Sequence, residues 1–177
     1  MPLSPAQLPG ARKVELTGFI EPCDPTLSEL PPSGEDWVFE IKADGYRAQV
    51  HLGSKVTVYS RRGLDWTHQF RAIADAATRL RVHDAILDGE AVVYGATGRP
   101  DFQALRRELG ASRSGRLRYH AFDLLVLDGY DLRQVPYLQR KQLLQEVLAG
   151  APEGPDLCRV SGGRRDASLP ERVRAWA

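Results

Sequence analysis

Apolar and polar residues alternate between positions 37 and 59, and no other pattern in the chain limits the fold as strongly. A period of two residues is that of a β-strand, whose successive side chains point to opposite faces of the sheet. The segments 37–42, 48–52 and 56–59 each follow it. A three-residue loop that begins with Gly53 separates the last two segments, as in a β-hairpin. The sequence therefore predicts an antiparallel pair preceded by a further strand.

The remaining elements are predicted from residue spacing, capping residues and runs of apolar side chains. In chain order they are a helix over 65–80, a strand over 85–94, a helix over 101–109, a strand over 117–127 and a helix over 136–149. Asp101 is a suitable N-cap for the second helix, and Pro136 suits the first turn of the third, which Gly150 would end. This order predicts an α+β fold with a mainly antiparallel sheet and flanking helices.

The composition is that of a soluble globular protein, since 42% of the 177 residues are apolar and 27% are charged. No apolar run approaches the roughly 20 residues that span a bilayer, and the first residues have no signal-peptide pattern. The only cysteines, Cys23 and Cys158, exclude a disulfide scaffold and a cysteine-rich zinc site, and fit a reducing cytoplasm. The net charge of +1 neither requires nor excludes a nucleic-acid partner.

Three segments are predicted from changes in composition. Residues 1–36 form a Pro-rich leader that wraps a domain edge, residues 37–150 form the domain, and residues 151–177 form a divergent or disordered tail. The tail shows no further strand pattern, and its one predicted element is a brief helix formed by Leu169, Val173 and Trp176.

The first candidate for chemistry is the segment Lys42 to Arg47, which reads Lys-Ala-Asp-Gly-Tyr-Arg. Lysine is rare in this chain, and the only four are Lys13, Lys42, Lys55 and Lys141. Lys42 would share a strand face with Glu40, and Gly45 would allow a sharp turn. Arg47 could supply positive charge, which favours the neutral amine of a lysine nucleophile, or could hold a phosphate. On spacing alone, a solvated strand end with a hairpin turn explains the segment better.

Three further segments carry groups that could serve a nucleotide or a metal ion. Asp88 and Glu90 project from one face of a predicted strand, where paired carboxylates can bind a divalent cation or a sugar hydroxyl. Arg61 follows the hairpin and can reach a phosphate or a ribose. Phe122 is core or stacks on a base, and Asp123, in so apolar a strand, needs a partner because burial of an unpaired charge is costly. Each segment alone is explained more simply by a polar strand face, a basic loop or the core.

Taken together and in order, these four segments resemble the motifs of the covalent nucleotidyltransferases, specifically the adenylation domain of ATP-dependent DNA ligases. The matches to the Lys-x-Asp-Gly-x-Arg, Ser-Arg-x-Gly, Asp-Gly-Glu and Phe-Asp-centred motifs lie at 42–47, 60–63, 88–90 and 119–125. The residues around Trp66 and Phe122 are most similar to bacterial end-joining ligases of the ligase D type. The resemblance covers about residues 18–150.

This resemblance implies an ATP-grasp-like nucleotidyltransferase fold and a set of residue roles. Lys42 would attack the α-phosphate of ATP and form lysyl-AMP, with Mg²⁺ assisting. The other implied roles place Glu40 and Ile41 beside the adenine, Arg47 and Arg61 on the ribose or phosphates, Glu90 on the ribose or the metal ion, and Phe122 in a stack on adenine.

The resemblance also implies partners and a location. AMP would pass to a 5′-phosphate of nicked or broken double-stranded DNA, and a 3′-hydroxyl would then displace it, in DNA repair and recombination. A cytoplasmic, nucleoid-associated bacterial enzyme is implied, with end-joining partners on other chains and no membrane contact.

The chain departs from the ligase pattern after residue 150. The family continues with a Glu-Gly-x-x-x-Lys motif and a Lys-x-Lys-type motif, whereas no lysine follows Lys141 here. We therefore expect an incomplete, C-terminally truncated adenylation domain that is impaired as a ligase on its own. The alternatives are a non-catalytic nucleotide- or DNA-binding remnant, and another lysine nucleotidyltransferase such as an RNA ligase.

Overall fold

The computed structural model of the chain describes residues 4–15, 18–23, 38–110, 115–149, 157–158 and 173–176. The strands are β1 (Arg12–Lys13), β2 (Val38–Ile41), β3 (Tyr46–Leu52), β4 (Val56–Ser60), β5 (Ala85–Val93), β6 (Leu117–Leu127), β7 (Tyr130–Asp131), β8 (Leu157–Cys158) and β9 (Val173–Trp176). The helices are α1 (Arg71–Ala77), α2 (Phe102–Gly110) and α3 (Tyr137–Ala149), with a short 3₁₀ turn at Pro5–Gln7. None of these helices is long and apolar enough to cross a membrane.

A mainly antiparallel sheet organises the described part of the chain. Its strand order is β1-β7-β6-β5-β3-β4, and β8 pairs in parallel with β6. The strands β2 and β9 form a separate antiparallel pair. The predicted α+β class with a mainly antiparallel sheet is therefore confirmed.

The two faces of the sheet differ in chemistry. One face carries Ala48, Val50, Leu87 and Leu124, which are fully buried in one core with residues of all three helices. The other face, here called the polar face, carries the side chains that alternate with them on the central strands. Its members on β3, β5 and the first half of β6 include Arg47, Gln49, Asp88, Glu90 and His120.

Two predictions about secondary structure are wrong. The helix predicted over 65–80 forms only at Arg71–Ala77. Asp65 Oδ1 instead accepts hydrogen bonds from Thr67 N at 2.9 Å and Thr67 Oγ1 at 2.6 Å, so a local side-chain turn replaces the first helical turns. The tail contains strands β8 and β9 rather than a brief helix, because 173–176 pairs with the backbone of β2. Leu169 and Gly150 lie outside the described residues.

Candidate active site

Lys42 lies in the exposed loop between β2 and β3. The far end of this loop is fixed by Tyr46, whose ring contacts Trp66 at 5.6 Å and Phe102 at 5.1 Å between centroids. Gly45 is required for a close approach: a Cβ there would lie 2.2 Å from the Ala91 carbonyl oxygen. The loop is therefore pressed against β5, and Lys42 is left open to solvent.

The register between β3 and β5 brings three of the predicted residues, Arg47, Asp88 and Glu90, together on the polar face. Arg47 on β3 lies opposite Glu90 on β5, and Glu90 lies opposite His120 on β6. Glu90 is buried with 6% of its surface exposed. Asp88, two residues before Glu90, points to the same face, as the sequence predicted.

The guanidinium of Arg47 is held by Asp88. Nε donates to Oδ1 at 3.2 Å, Nη2 donates to Oδ2 at 2.8 Å, and Nη1 donates to the Cys23 carbonyl oxygen at 2.9 Å. The pair is largely shielded from water, with side-chain exposures of 11% and 5%. The guanidinium carbon also lies 5.5 Å from the ring centroid of Phe122. The positive charge of Arg47 is therefore balanced by a carboxylate beside the predicted adenine platform.

Phe122 lies on the polar face two residues after His120, by the ordinary alternation of a strand, and β6 bulges at this residue. Asp88 pairs with Asp123, whereas the next residue, Gly89, pairs with Ala121, so Phe122 is the extra residue. Asp123, for which the sequence required a partner, forms a two-bond ion pair with Arg140 at 2.8 and 2.9 Å. Helix α3 is thereby tied to the strand that carries Phe122.

Tyr119 connects the central strands from the core side. Its hydroxyl donates to the carbonyl oxygens of Ala48 at 2.9 Å and Leu87 at 3.1 Å. The ring fills the space above Gly89, where a Cβ would lie 2.5 Å from both Tyr119 Cζ and the His120 carbonyl oxygen. Burial, followed by the nearby charge of Asp88, raises the pKa of the Tyr119 phenol well above its ordinary value, so it stays a donor.

His120 extends the row of polar residues onto β6. One ring nitrogen, Nε2, shares a hydrogen bond of 2.5 Å with Tyr94 Oη, at the end of β5. Burial lowers the pKa of the His120 imidazole below its ordinary value, which keeps the ring neutral near pH 7.

Glu40 is placed differently from the other predicted nucleotide contacts. It is buried, with 4% of its surface exposed, and its Oε1 pairs with Nζ of Lys141 on α3. Burial, followed by the charge of Glu40, raises the pKa of the neighbouring Tyr137 phenol. The backbone of Ile41 lies in β2, and its side chain is outside the described part.

Arg61 follows β4 at the end nearest Arg47. Ser60 pairs with Ala48, and Arg61 is exposed beyond it. A tight turn supports this position, since Ser60 Oγ accepts from Leu64 N at 3.2 Å and the Ser60 carbonyl oxygen accepts from Gly63 N at 2.9 Å. Arg61 therefore lies at the end of the sheet where Arg47 and Glu90 lie.

Three residues of α3 that contact the site were not predicted. Tyr137, Arg140 and Lys141 lie in a segment that the sequence predicted only as a helix between Pro136 and Gly150. The buried charge of Asp123 indicated that some cation must face it, but the pattern gave no indication of which arginine.

The family model described as ATP dependent DNA ligase domain matches residues 21–164, which is most of the chain. The chain belongs to the ATP-dependent DNA ligase family. The predicted family is therefore confirmed, and the match includes all four motifs of the ligase pattern.

Two curated relatives show how this ligase-family chain compares with longer proteins. The multifunctional non-homologous end joining protein LigD of Pseudomonas aeruginosa is 37% identical over 158 residues, which are 86% of this chain and 19% of that protein. The bifunctional LigD of Bacillus subtilis is 33% identical over 149 residues, which are 75% of this chain and 24% of that protein. The chain spans about a fifth of the length of these relatives.

Two solved structures share the fold of this ligase-family chain. The ligase domain of LigD from M. tuberculosis matches with a TM-score of 0.55 and 33% identity, over 69% of this chain and 40% of that one. A mycobacterial DNA ligase D complexed with ATP and MES matches with a TM-score of 0.55 and 35% identity, over 72% and 41%. The predicted nucleotidyltransferase fold is confirmed by these matches.

Proposed function

We propose that this chain binds ATP on its polar face and transfers AMP to Lys42, as the first step of DNA ligation. The observation that supports the proposal best is the strand register, which sets Arg47 and Glu90 side by side next to the bulged Phe122. Lys42 lies in the exposed loop that leads into the same strand as Arg47. One site thus combines an aromatic platform, a cation, a carboxylate and a solvent-accessible amine.

The chemistry follows from these groups. Lys42 Nζ, after losing a proton to solvent, forms a bond to the α-phosphorus of ATP. The bond from that phosphorus to the oxygen bridging the β-phosphate breaks, and pyrophosphate leaves with the electron pair. Phe122 would stack on the adenine, and Arg47 and Arg61 would stabilise the negative charge on the phosphate or ribose side. Catalysis of this kind depends mainly on positioning and on electrostatic stabilisation.

The residues fit a magnesium ion only if ATP shares it. The described residues contain no group of three or more His, Cys, Asp or Glu side chains arranged to hold a metal ion. Magnesium in phosphate-transfer sites is commonly bound by one or two carboxylates together with substrate phosphates, and Glu90 is the candidate carboxylate here. When bound, the ion would offset negative charge on the phosphate oxygens.

The later steps of the proposal concern DNA. The AMP carried by Lys42 would pass to the 5′-phosphate at a nick or break in double-stranded DNA, within bacterial end-joining repair and recombination at the nucleoid in the cytoplasm. The names of the LigD relatives, which are end-joining proteins, support this assignment, and end-joining partners on other chains are proposed on the same basis.

The experiment that tests the proposal is adduct mapping. The protein is incubated with labelled ATP and Mg²⁺, digested, and analysed by mass spectrometry. We expect one adenylate on Lys42, and none in the Lys42→Arg variant, which keeps the charge but removes the nucleophile. Lys55→Arg is the matched control and should label like wild type. Label on Lys13, Lys55 or Lys141 with none on Lys42 would contradict the assignment. ATP binding without any adduct would instead support a nucleotide-binding module.

A further inference from the structure

Lys141 makes two buried contacts that join distant parts of the site. Its ammonium group donates to the Phe122 carbonyl oxygen at 2.9 Å and pairs with Glu40 Oε1. Only 6% of the Lys141 side chain and 3% of the Glu40 side chain are exposed. The ammonium also lies 5.5 Å from the centroid of the Tyr137 ring, which adds a cation–π contact.

The two contacts of Lys141 join two segments that have different roles under the proposed function. Glu40 is in β2, two residues before Lys42, and Phe122 is the bulged residue that would stack on adenine. The strands that carry them belong to different sheets, because β2 pairs with β9 and β6 lies in the large sheet. The Lys141 side chain therefore links β2, the strand that ends just before Lys42, to Phe122 on β6 in the other sheet.

A buried charge is held in this way only at a cost that its partners offset. The carboxylate of Glu40 and the carbonyl dipole at Phe122 both face the ammonium, and the neighbouring Arg140 is occupied by Asp123 at 2.8 Å. The three-centre arrangement fixes the direction of the lysine side chain more strongly than either contact alone. Such fixed geometry is what an in-line attack on phosphorus requires.

We propose that Lys141 is a positioning residue that sets the distance between Lys42 and the bound adenine. The inference rests on the proposed function and adds a residue outside the four ligase motifs to it. Lys141 does not touch the reacting atoms in this arrangement. Its loss should leave each half of the site able to bind its part of ATP, while the α-phosphate is no longer held at the correct distance from Lys42.

The test separates ATP affinity from the rate of adenylation. Lys141→Met removes the charge and keeps an unbranched side chain that is one atom shorter. We expect the single-turnover rate of Lys42 adenylation at saturating ATP to fall roughly 10- to 100-fold, the loss typical of a misplaced reactant, with little change in the Kd for ATP. Lys141→Arg keeps a cation beside Glu40 and should recover part of the rate. Lys55→Met, a lysine in the β3–β4 turn, should behave as wild type.

A second variant keeps the experiment informative if Lys141→Met folds poorly. Glu40→Gln combined with Lys141→Met removes both charges and leaves neither one buried alone. The double variant should fold and should adenylate Lys42 as slowly as Lys141→Met. Wild-type rates in either folded variant, or equal losses in affinity and rate, would overturn the positioning role. If wild type itself forms no Lys42 adduct, the proposed function fails and the positioning role fails with it.

Discussion

Phe122 is held from two sides, which bears on the adenine-stacking role that the proposed function gives it. Arg47 lies over its ring, and Lys141 fixes its carbonyl oxygen from behind. The ring therefore has a defined position before any ligand binds. Stacking of a base on an aromatic ring contributes about 1–3 kcal/mol, and under the proposed function this is the contribution that Phe122 would make to ATP binding.

The Phe122→Ala variant should lose that contribution. We expect its Kd for ATP to rise about 5- to 150-fold, which corresponds to about 1–3 kcal/mol, in a calorimetric titration. Phe122→Leu keeps apolar volume without a ring and should lose nearly as much affinity. Leu138→Ala, at a half-exposed apolar residue of α3, is the control and should bind ATP as wild type does. Equal affinities of wild type and Phe122→Ala would refute the stacking role.

His120 gives the stability a dependence on pH. Its pKa is lowered by burial, so the unfolded chain takes up a proton on this residue at a higher pH than the folded chain. The contribution of neutral His120 to the free energy of unfolding is therefore fully present above the ordinary histidine pKa. It is lost as the pH falls from that value toward the lowered pKa of His120 in the folded chain. Between pH 7 and pH 5, the free energy of unfolding of wild type should decrease more than that of His120→Gln. Urea denaturation at several pH values measures this difference, and parallel curves for the two proteins would contradict it.

At the scale of elements, the strands were predictable and the contacts between them were not. The periods of two over 48–52 and 56–59 predicted β3 and β4, and the continuous apolar run predicted β6, because burial alone sets those patterns. Apolar spacing also suggested a helix from Asp65, but the spacing does not reveal that a carboxylate will bind its own backbone. The bulge at Phe122, after which Leu124 lies on the core face, depends on the register between β5 and β6, which no local pattern specifies.

The contact between β5 and β6 depends on the glycine of the Asp-Gly-Glu motif. A methyl group at Gly89 would meet both the Tyr119 ring and the backbone carbonyl of His120 at 2.5 Å. Gly89→Ala should therefore lower the free energy of unfolding by about 1–3 kcal/mol, as overpacking does. Gly115→Ala is a matched control, since nothing lies within 4 Å of its added methyl group. Thermal or urea unfolding that left Gly89→Ala as stable as Gly115→Ala would show that β6 moves aside without strain.

Across the whole molecule, the main apolar core and the charged site residues lie on opposite faces of the sheet. The core face packs against the three helices, whereas the opposite face receives the charged residues and the segment around Ile20. Gln49 on that face bonds both the nitrogen and the carbonyl oxygen of Ile20, at 3.0 Å each. Under the proposed function, substitutions on the polar face should therefore change nucleotide binding while the apolar core stays packed.

The proposed function would place a cation at the α-phosphate besides the nucleophile during nick sealing, and none of the other three lysines lies where it could supply that charge. Lys13 is in β1, which three strands separate from β3 in the sheet. Lys55 is in the turn at the opposite end of β3 from Arg47, and Lys141 pairs with Glu40. Loss of one charge-assisted contact to a developing anion slows a reaction roughly 10²- to 10³-fold. We therefore expect this chain to join a nick with a pre-adenylated 5′ end at least about 10²-fold more slowly than a full-length ligase D does. Gel analysis of labelled DNA under single-turnover conditions measures both rates on a substrate that bypasses Lys42. Comparable rates would mean that arginine supplies the charge in place of lysine, and the candidates are Arg47 and Arg61, which the proposed function places on the phosphate or ribose side.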